Sequence, residues 1–104
     1  MREMEIRPVS ITRTQRIQVT CVSTASVGLV GEVITHIGAN GLRWTKDEAI
    51  SLIDSGRVEF FTRVNGYEAR VHVVRPRYGA PYLHTDPDGY GPNNLLSLNR
   101  CWPY

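Results

Sequence analysis

The residues best suited to chemistry cluster between positions 57 and 75. Arg57, Arg63 and Arg70, with Phe61 and His72, recur at spacings that put them on one side of two extended strands. Guanidinium forks bind phosphate oxygens bidentately and stack on bases. An arginine-and-aromatic sheet face is therefore the chemistry of a nucleic-acid platform. The same spacing also makes cross-strand pairs: Arg63 with Glu68, Phe61 with Arg70 as a cation–π pair, and Glu59 with His72, each worth roughly 0.2–1 kcal/mol. Pairing is the simpler reading, because Glu59 and Glu68 dilute the positive field and the formal net charge is only +2.

The two cysteines, Cys21 and Cys101, lie far apart and form no Cys-x-x-Cys motif. A zinc site would need His36, His72 or His84 to converge on them, so no metal and no cofactor is expected. A disulfide between them would close a long loop, worth about 4 kcal/mol in the chain-entropy model. In a cytoplasmic chain two buried or half-buried thiols are expected instead, although the last segment could return to the first strand and bring the pair close. One of these cysteines with His84 and Asp86 makes a nucleophilic set only on paper, since no local signature surrounds it. No catalytic residue is assigned, and an enzyme is not the leading expectation.

Further along, Asp86, Asp88, Gly89, Asn93 and Asn94 have the composition of a cation loop but lack the EF-hand pattern. The aspartates are expected to shape a turn, and an asparagine to cap the segment 95–98. Trp44 stands just before a helix, where packing is expected over ligand stacking. Arg43 and Lys46 flank that helix start, whose free amides can accept an anion. Trp44, Trp102 and Tyr104 are the candidates for contact with a partner.

The elements that must position these residues are legible in part. Residues 16–23 alternate as a strand, 23–31 read as a loop, and 32–37 alternate again. The Gly-Ala-Asn-Gly run at 38–41 breaks the chain. Thr45 with Glu48 forms a capping box ahead of the apolar stripe Ala49, Ile50, Leu52 and Ile53, and Gly56 suits a left-handed C-cap. Asn65-Gly66 supplies both positive-φ residues of a type I′ turn. That turn sets Val64 opposite Tyr67, Arg63 opposite Glu68, Thr62 opposite Ala69 and Phe61 opposite Arg70, then Phe60 opposite Val71, Glu59 opposite His72 and Val58 opposite Val73. Val58, Phe60, Val64, Tyr67, Ala69, Val71 and Val73 then share the face that covers the helix. Residues 81–85 make a last strand, and 93–98 a short helical turn.

The fold expected is α+β: a single antiparallel twisted sheet of four to five strands with one helix packed on one face. The single domain spans 16–104. Residues 1–15 form an N-terminal extension, mobile or an edge strand.

The run Gly41-Leu42-Arg43-Trp44-Thr45-Lys46-Asp47-Glu48-Ala49-Ile50 resembles a Gly-x-x-Trp-Thr-x-x-Glu-Ala-Ile pattern. It is followed by a hairpin, by Tyr82-Leu83-His84-Thr85, by Asp88-Gly89, and by Asn93-Asn94-Leu95-Leu96-Ser97-Leu98 before Cys101. With a strand ending at Cys21, this ordered set resembles a small bacterial family, domain of unknown function 3892, over about 16–101. Asn99 stands where that family's Leu-Pro-x-Cys ending has proline. The resemblance implies the architecture and brings no activity or catalytic residues.

Composition bounds the rest. The chain has 104 residues, 41% hydrophobic and 21% charged, which fits one globular domain with a modest core. Eleven of its twelve basic residues are arginine; Lys46 is the one lysine. No apolar run approaches a membrane span and the start lacks a signal-peptide centre, so no membrane association and a cytoplasmic home are expected. The leading expectation is a small binding module for proteins or peptides, or one that self-associates through a sheet edge as a homodimer. The alternative is nucleic-acid binding through the arginine-lined hairpin face, and a Cys/His-dependent enzyme ranks last.

Overall fold

The computed structural model describes residues 14–86 and 91–101. In chain order the elements are β1 (Gln15–Gln18), β2 (Cys21–Val27), β3 (Gly31–Ala39), β4 (Leu42–Thr45), α1 (Lys46–Asp54), β5 (Val58–Val64), β6 (Tyr67–Arg70), β7 (His72–Val74), β8 (Tyr82–His84) and β9 (Asn99–Arg100). Short 3-10 turns occupy Gly28–Val30 and Asn94–Ser97. The class is α+β, as expected. The single antiparallel sheet is not found: among the described residues three small sheets replace it, with strand orders β1-β5-β6, β4-β3-β2-β9 and β7-β8. Two pairings, β1 with β5 and β2 with β9, are parallel.

The division follows from two bends. The first extended stretch leaves one sheet for another at Val19 and Thr20. There the Val19 N–H donates to Phe61 O (2.8 Å) and the next, Thr20 N–H, donates to Gly38 O (2.9 Å). Residues before the bend pair with β5, and those after it with β3. The second bend is at Val71. The hairpin register expected from Asn65-Gly66 holds for all four pairs from Val64–Tyr67 to Phe61–Arg70, and Asn65 and Gly66 both have positive φ. Val71 N–H still donates to Phe60 O, at 2.8 Å. His72 then pairs with His84, and Val73 with Leu83, so the expected Glu59–His72 and Val58–Val73 pairs do not form. Burying Val71 (1% exposed) turns the chain into the core and hands it to β8.

The helix forms as its signals dictate. The Thr45 side chain accepts from Glu48 N–H and the Glu48 carboxylate accepts from Thr45 N–H, a complete capping box. Gly56 has φ +75° just past the C-cap Ser55. Two local signals ran further than expected. Residues 23–27, expected as loop, extend β2, and Asn40-Gly41, both at positive φ, close a β3–β4 hairpin. The core is drawn from β2, β3, α1, β5, β8, the second 3-10 turn and the two bends: Val19, Val22, Ile37, Ala49, Val58, Phe60, Val71, Leu83 and Leu95 are buried together. Tyr67, assigned to the core face, is 78% exposed, because the hairpin tip runs past the helix it was expected to cover.

Candidate functional site

Arg63 and Arg70 of the hairpin's polar face are held in ion pairs with its own glutamates. β1 lies beside β5 with Arg16 opposite Glu59, and the Arg16 guanidinium sits 4.1 Å above the Phe61 ring centroid. Phe61 is buried, and the guanidinium stacked on it is that of Arg16 rather than the expected Arg70. Arg16 bonds Glu59 at 3.0 Å and also bonds Glu68; Arg63 bonds Glu68 at 3.0 Å; Arg70 lies 3.6 Å from Glu59. Three guanidiniums thus share two carboxylates. The hydrogen bond from Arg63, then that from Arg16, holds the Glu68 carboxyl below its ordinary range, while bonds to Glu59 and Glu68 raise Arg16. Arg57 is exposed at the foot of β5. His72 leaves this face altogether, because the bend at Val71 places it in β7 opposite His84.

The cysteines are not free. Cys21 and Cys101 form a disulfide with Cα atoms 4.9 Å apart, which overturns the expectation of two thiols and removes the nucleophile of the Cys–His84–Asp86 set. The last segment does return to the first strand, since Cys101 N–H donates to Val22 O and β9 pairs beside β2. Gly38, opposite Cys21 on β3, makes room for the bridge. A Cβ there would lie 2.6 Å from Cys21 Sγ and 2.9 Å from Cys101 Sγ. The other two members are tied into a loop: His84 Nδ1 accepts from Asp86 N–H (2.8 Å), and the Asp86 carboxylate accepts from Gly91 N–H (2.7 Å). Among the described residues no three His, Cys, Asp or Glu side chains converge as a metal site. Trp44 is half-buried, edge-on to Phe60 at 5.1 Å, so it packs. Trp102, Tyr104 and the Asp88-Gly89 pair lie outside the described residues.

A cleft of about 650 Å³ lies where sequence reasoning reached only one end, the helix start at Lys46. It owes its position to β3. Along one edge β3 pairs with β2 from Gly31 to Gly38, interrupted at Thr35, but along the other it pairs with β4 only from His36 to Ala39. At Thr45, opposite His36, the chain turns up into α1, and among the described residues no strand pairs with the β3 edge at residues 32–35. A β-bulge between Ser23 and Thr24 of β2 leaves Thr35 unpaired at the same level, and its hydroxyl donates to Ser23 O (3.2 Å). Bulges of this kind end regular pairing and re-aim side chains. Residues 32–35 line the cleft, with Thr45, Lys46 and Asp47 at one end.

The other wall is the outer edge of β8. The Asn93 side chain bonds it as a neighbouring strand would: Nδ2 donates to Leu83 O (3.2 Å) and Oδ1 accepts from Thr85 N–H (3.3 Å). The same Oδ1 accepts from Leu95 N–H and caps the 3-10 turn, so the expected asparagine cap is Asn93. Val33, Ile34, Pro81, Leu83 and Leu96 make the lining largely apolar, and Tyr82 and His84 stand edge to face, 6.3 Å between ring centroids. Glu32 also lines the cleft, but its carboxylate accepts from Thr24 (2.7 Å) and from Arg100 of β9 (3.0 Å). These bonds, the first the larger, hold it below the ordinary carboxylate range.

Two features of the cleft are legible in the sequence. Lys46 is the sole lysine, and the helix-start amides were visible as anion acceptors; the pairing gap on β3 was not, because it depends on where β4 stops.

A family model described as "Protein of unknown function (DUF3892)" matches residues 18–99. No curated protein and no solved structure matches the chain. No helix among the described residues is long and apolar enough to cross a membrane.

Proposed function

The chain belongs to the DUF3892 family, whose description assigns no activity; from its own geometry we propose that it is a binding module that receives an extended segment of a partner protein between β3 and β8. The observation that carries this reading is the apolar cleft of about 650 Å³ bordered by the unpaired edge of β3 at residues 32–35. Main-chain N–H and C=O groups on such an edge favour an added strand, and apolar pockets beside it accept alternate side chains. The volume falls within the range of ligand clefts. Four edge residues at ~3.3 Å each accommodate a segment of about four residues. A second copy of this chain presenting its own segment is the homodimeric form of the same chemistry.

Nucleic-acid binding through Arg57, Arg63 and Arg70 ranks second. Its support is the arginine content; against it stand the ion pairs to Glu59 and Glu68 and the covered Phe61 ring. Binding of this kind would weaken steeply as salt rises. The cytoplasmic setting expected from sequence is in tension with the Cys21–Cys101 bridge, since reducing compartments keep thiols apart. A non-reducing gel of protein taken directly from cells decides between them.

A display library of random seven-residue segments, panned on the oxidised chain, tests the leading reading. It should enrich sequences with alternating apolar residues, and a representative peptide should slow hydrogen exchange at the amides of residues 32–35. If no peptide is enriched, or if the enriched peptide leaves those amides unchanged, the reading is wrong.

A further inference from the structure

The cleft is closed at one end. On the β3 edge that it exposes, the next position is already filled, because Thr45 of β4 stands opposite His36. A main chain lying along residues 32–35 therefore has to stop where α1 begins. What meets it there is electropositive. Of the four N–H groups at the start of α1, Thr45 N–H and Glu48 N–H are taken by the capping box. Those of Lys46 and Asp47 have no intrahelical partner by geometry, and both residues line the cleft. The positive end of the helix dipole and the Lys46 ammonium, which makes no ion pair among the described residues, lie at the same place.

A second observation is independent of the helix. His84 lines the cleft and is 7% exposed. Its Nδ1 accepts from Asp86 N–H, so in the neutral ring Nε2 carries the proton and is a donor. No described residue meets Nε2. A buried donor without a partner loses free energy until a ligand supplies an acceptor.

We propose that the cleft recognises a free C-terminal carboxylate, held by the Lys46 and Asp47 amides, the Lys46 ammonium and His84 Nε2, with the bound segment running parallel to β3. The inference rests on the strand-addition reading above and adds the chemistry of the segment's end. The direction follows from the closed end: a chain parallel to β3 arrives at Thr45 with its C-terminus, whereas an antiparallel one would bring an ammonium to a helix N-terminus. Glu32 does not oppose the carboxylate directly, because Thr24 and Arg100 occupy its oxygens. The exposed Asp47 carboxylate does oppose it, and this gives the proposal a test of sign.

The test uses the oxidised protein, ¹⁵N-labelled, titrated with acetyl-Val-Thr-Val as the free acid and as its C-terminal amide. The free acid should shift the Lys46 and Asp47 amides, the His84 ring signals and the amides of residues 32–35, and should bind about fivefold more tightly than the amide. Asp47→Asn should tighten the free acid and leave the amide unchanged; Lys46→Met should weaken the free acid alone. Equal binding of acid and amide, with shifts along residues 32–35, overturns the carboxylate site and leaves strand addition standing. Shifts confined to Lys46, Asp47 and His84 keep the anion site and overturn strand addition. Weaker binding of the acid to Asp47→Asn, or no shifts from either peptide, overturns the proposal.

Discussion

The two ends of β3 are built on opposite principles. From His36 to Gly38 the strand is paired on both edges, Ile37 is fully buried, and Gly38 lies against the Cys21–Cys101 bridge. From Gly31 to Thr35 it is paired on one edge only, its residues are exposed or half-buried, and a cleft takes the place of a neighbour. One strand thus serves as scaffold at one end and as an open edge at the other. The change falls between Thr35 and His36, at the bulge and at the residue opposite the last of β4. Rigid support next to an unfilled edge is what a binding strand needs, because a preorganised edge loses less entropy when a partner is added.

The contrast can be broken most severely at the bridge. Its 80-residue separation makes the disulfide worth about 4.5 kcal/mol in the chain-entropy model, so Cys21→Ala with Cys101→Ala should lower unfolding stability by that order. Urea unfolding with and without reductant measures it; a loss below about 1 kcal/mol would falsify the scaffold role of this corner. Next comes Gly38→Ala. Its Cβ would press on both sulfurs and on Leu42 O at 3.1 Å, a cost of about 1–3 kcal/mol. The cost should shrink when both cysteines are alanine, and a double-mutant cycle reads that coupling. Additive effects would mean that the sulfurs are not what limits Gly38.

At the open end the same kind of change should matter little. Val33→Thr alters a half-buried cleft residue and should move stability by no more than about 0.5 kcal/mol while weakening a bound peptide. A larger loss of stability would show that the open half is also core. The smallest effect joins the two ends. Glu32 reaches from the cleft to Arg100 on the bridged strand β9, and its carboxyl is held below the ordinary range. A group whose pKa is depressed by folding contributes stability above the ordinary carboxylate range and loses it as pH falls through the folded value. Melting temperature should therefore decline less on acidification in Glu32→Gln than in the parent, and added salt should narrow the gap, because the pair is exposed. Identical acid profiles would remove Glu32 as a link.

The arginine face shows why the candidate site was only half legible. Asn65-Gly66 sets the register of the hairpin tip, so the Arg63–Glu68 pair could be read directly from spacing. Phe61 could not be placed, because what covers it is Arg16, from a strand distant in sequence that joins in parallel. His72 could not be placed either, since the register rule assumes an unbroken strand and Val71 breaks it to reach the core. Charge density is a property of composition; whether a charge is available to a ligand depends on what stands opposite it.

Local chemistry alone determined the capping box at Thr45 and Glu48, the Asn65-Gly66 turn, the Asn93 cap and the α+β class. Each depends on residues a few positions apart, so the physics that selects them is complete within the segment. Tertiary structure decided the rest: the division into three sheets, the pairing of Cys21 with Cys101, and the cleft. These arise where segments many residues apart compete for the same edges and the same core. A strand's alternation states which face is buried, but not where its neighbour ends, and the open edge of β3 exists because β4 ends at Thr45.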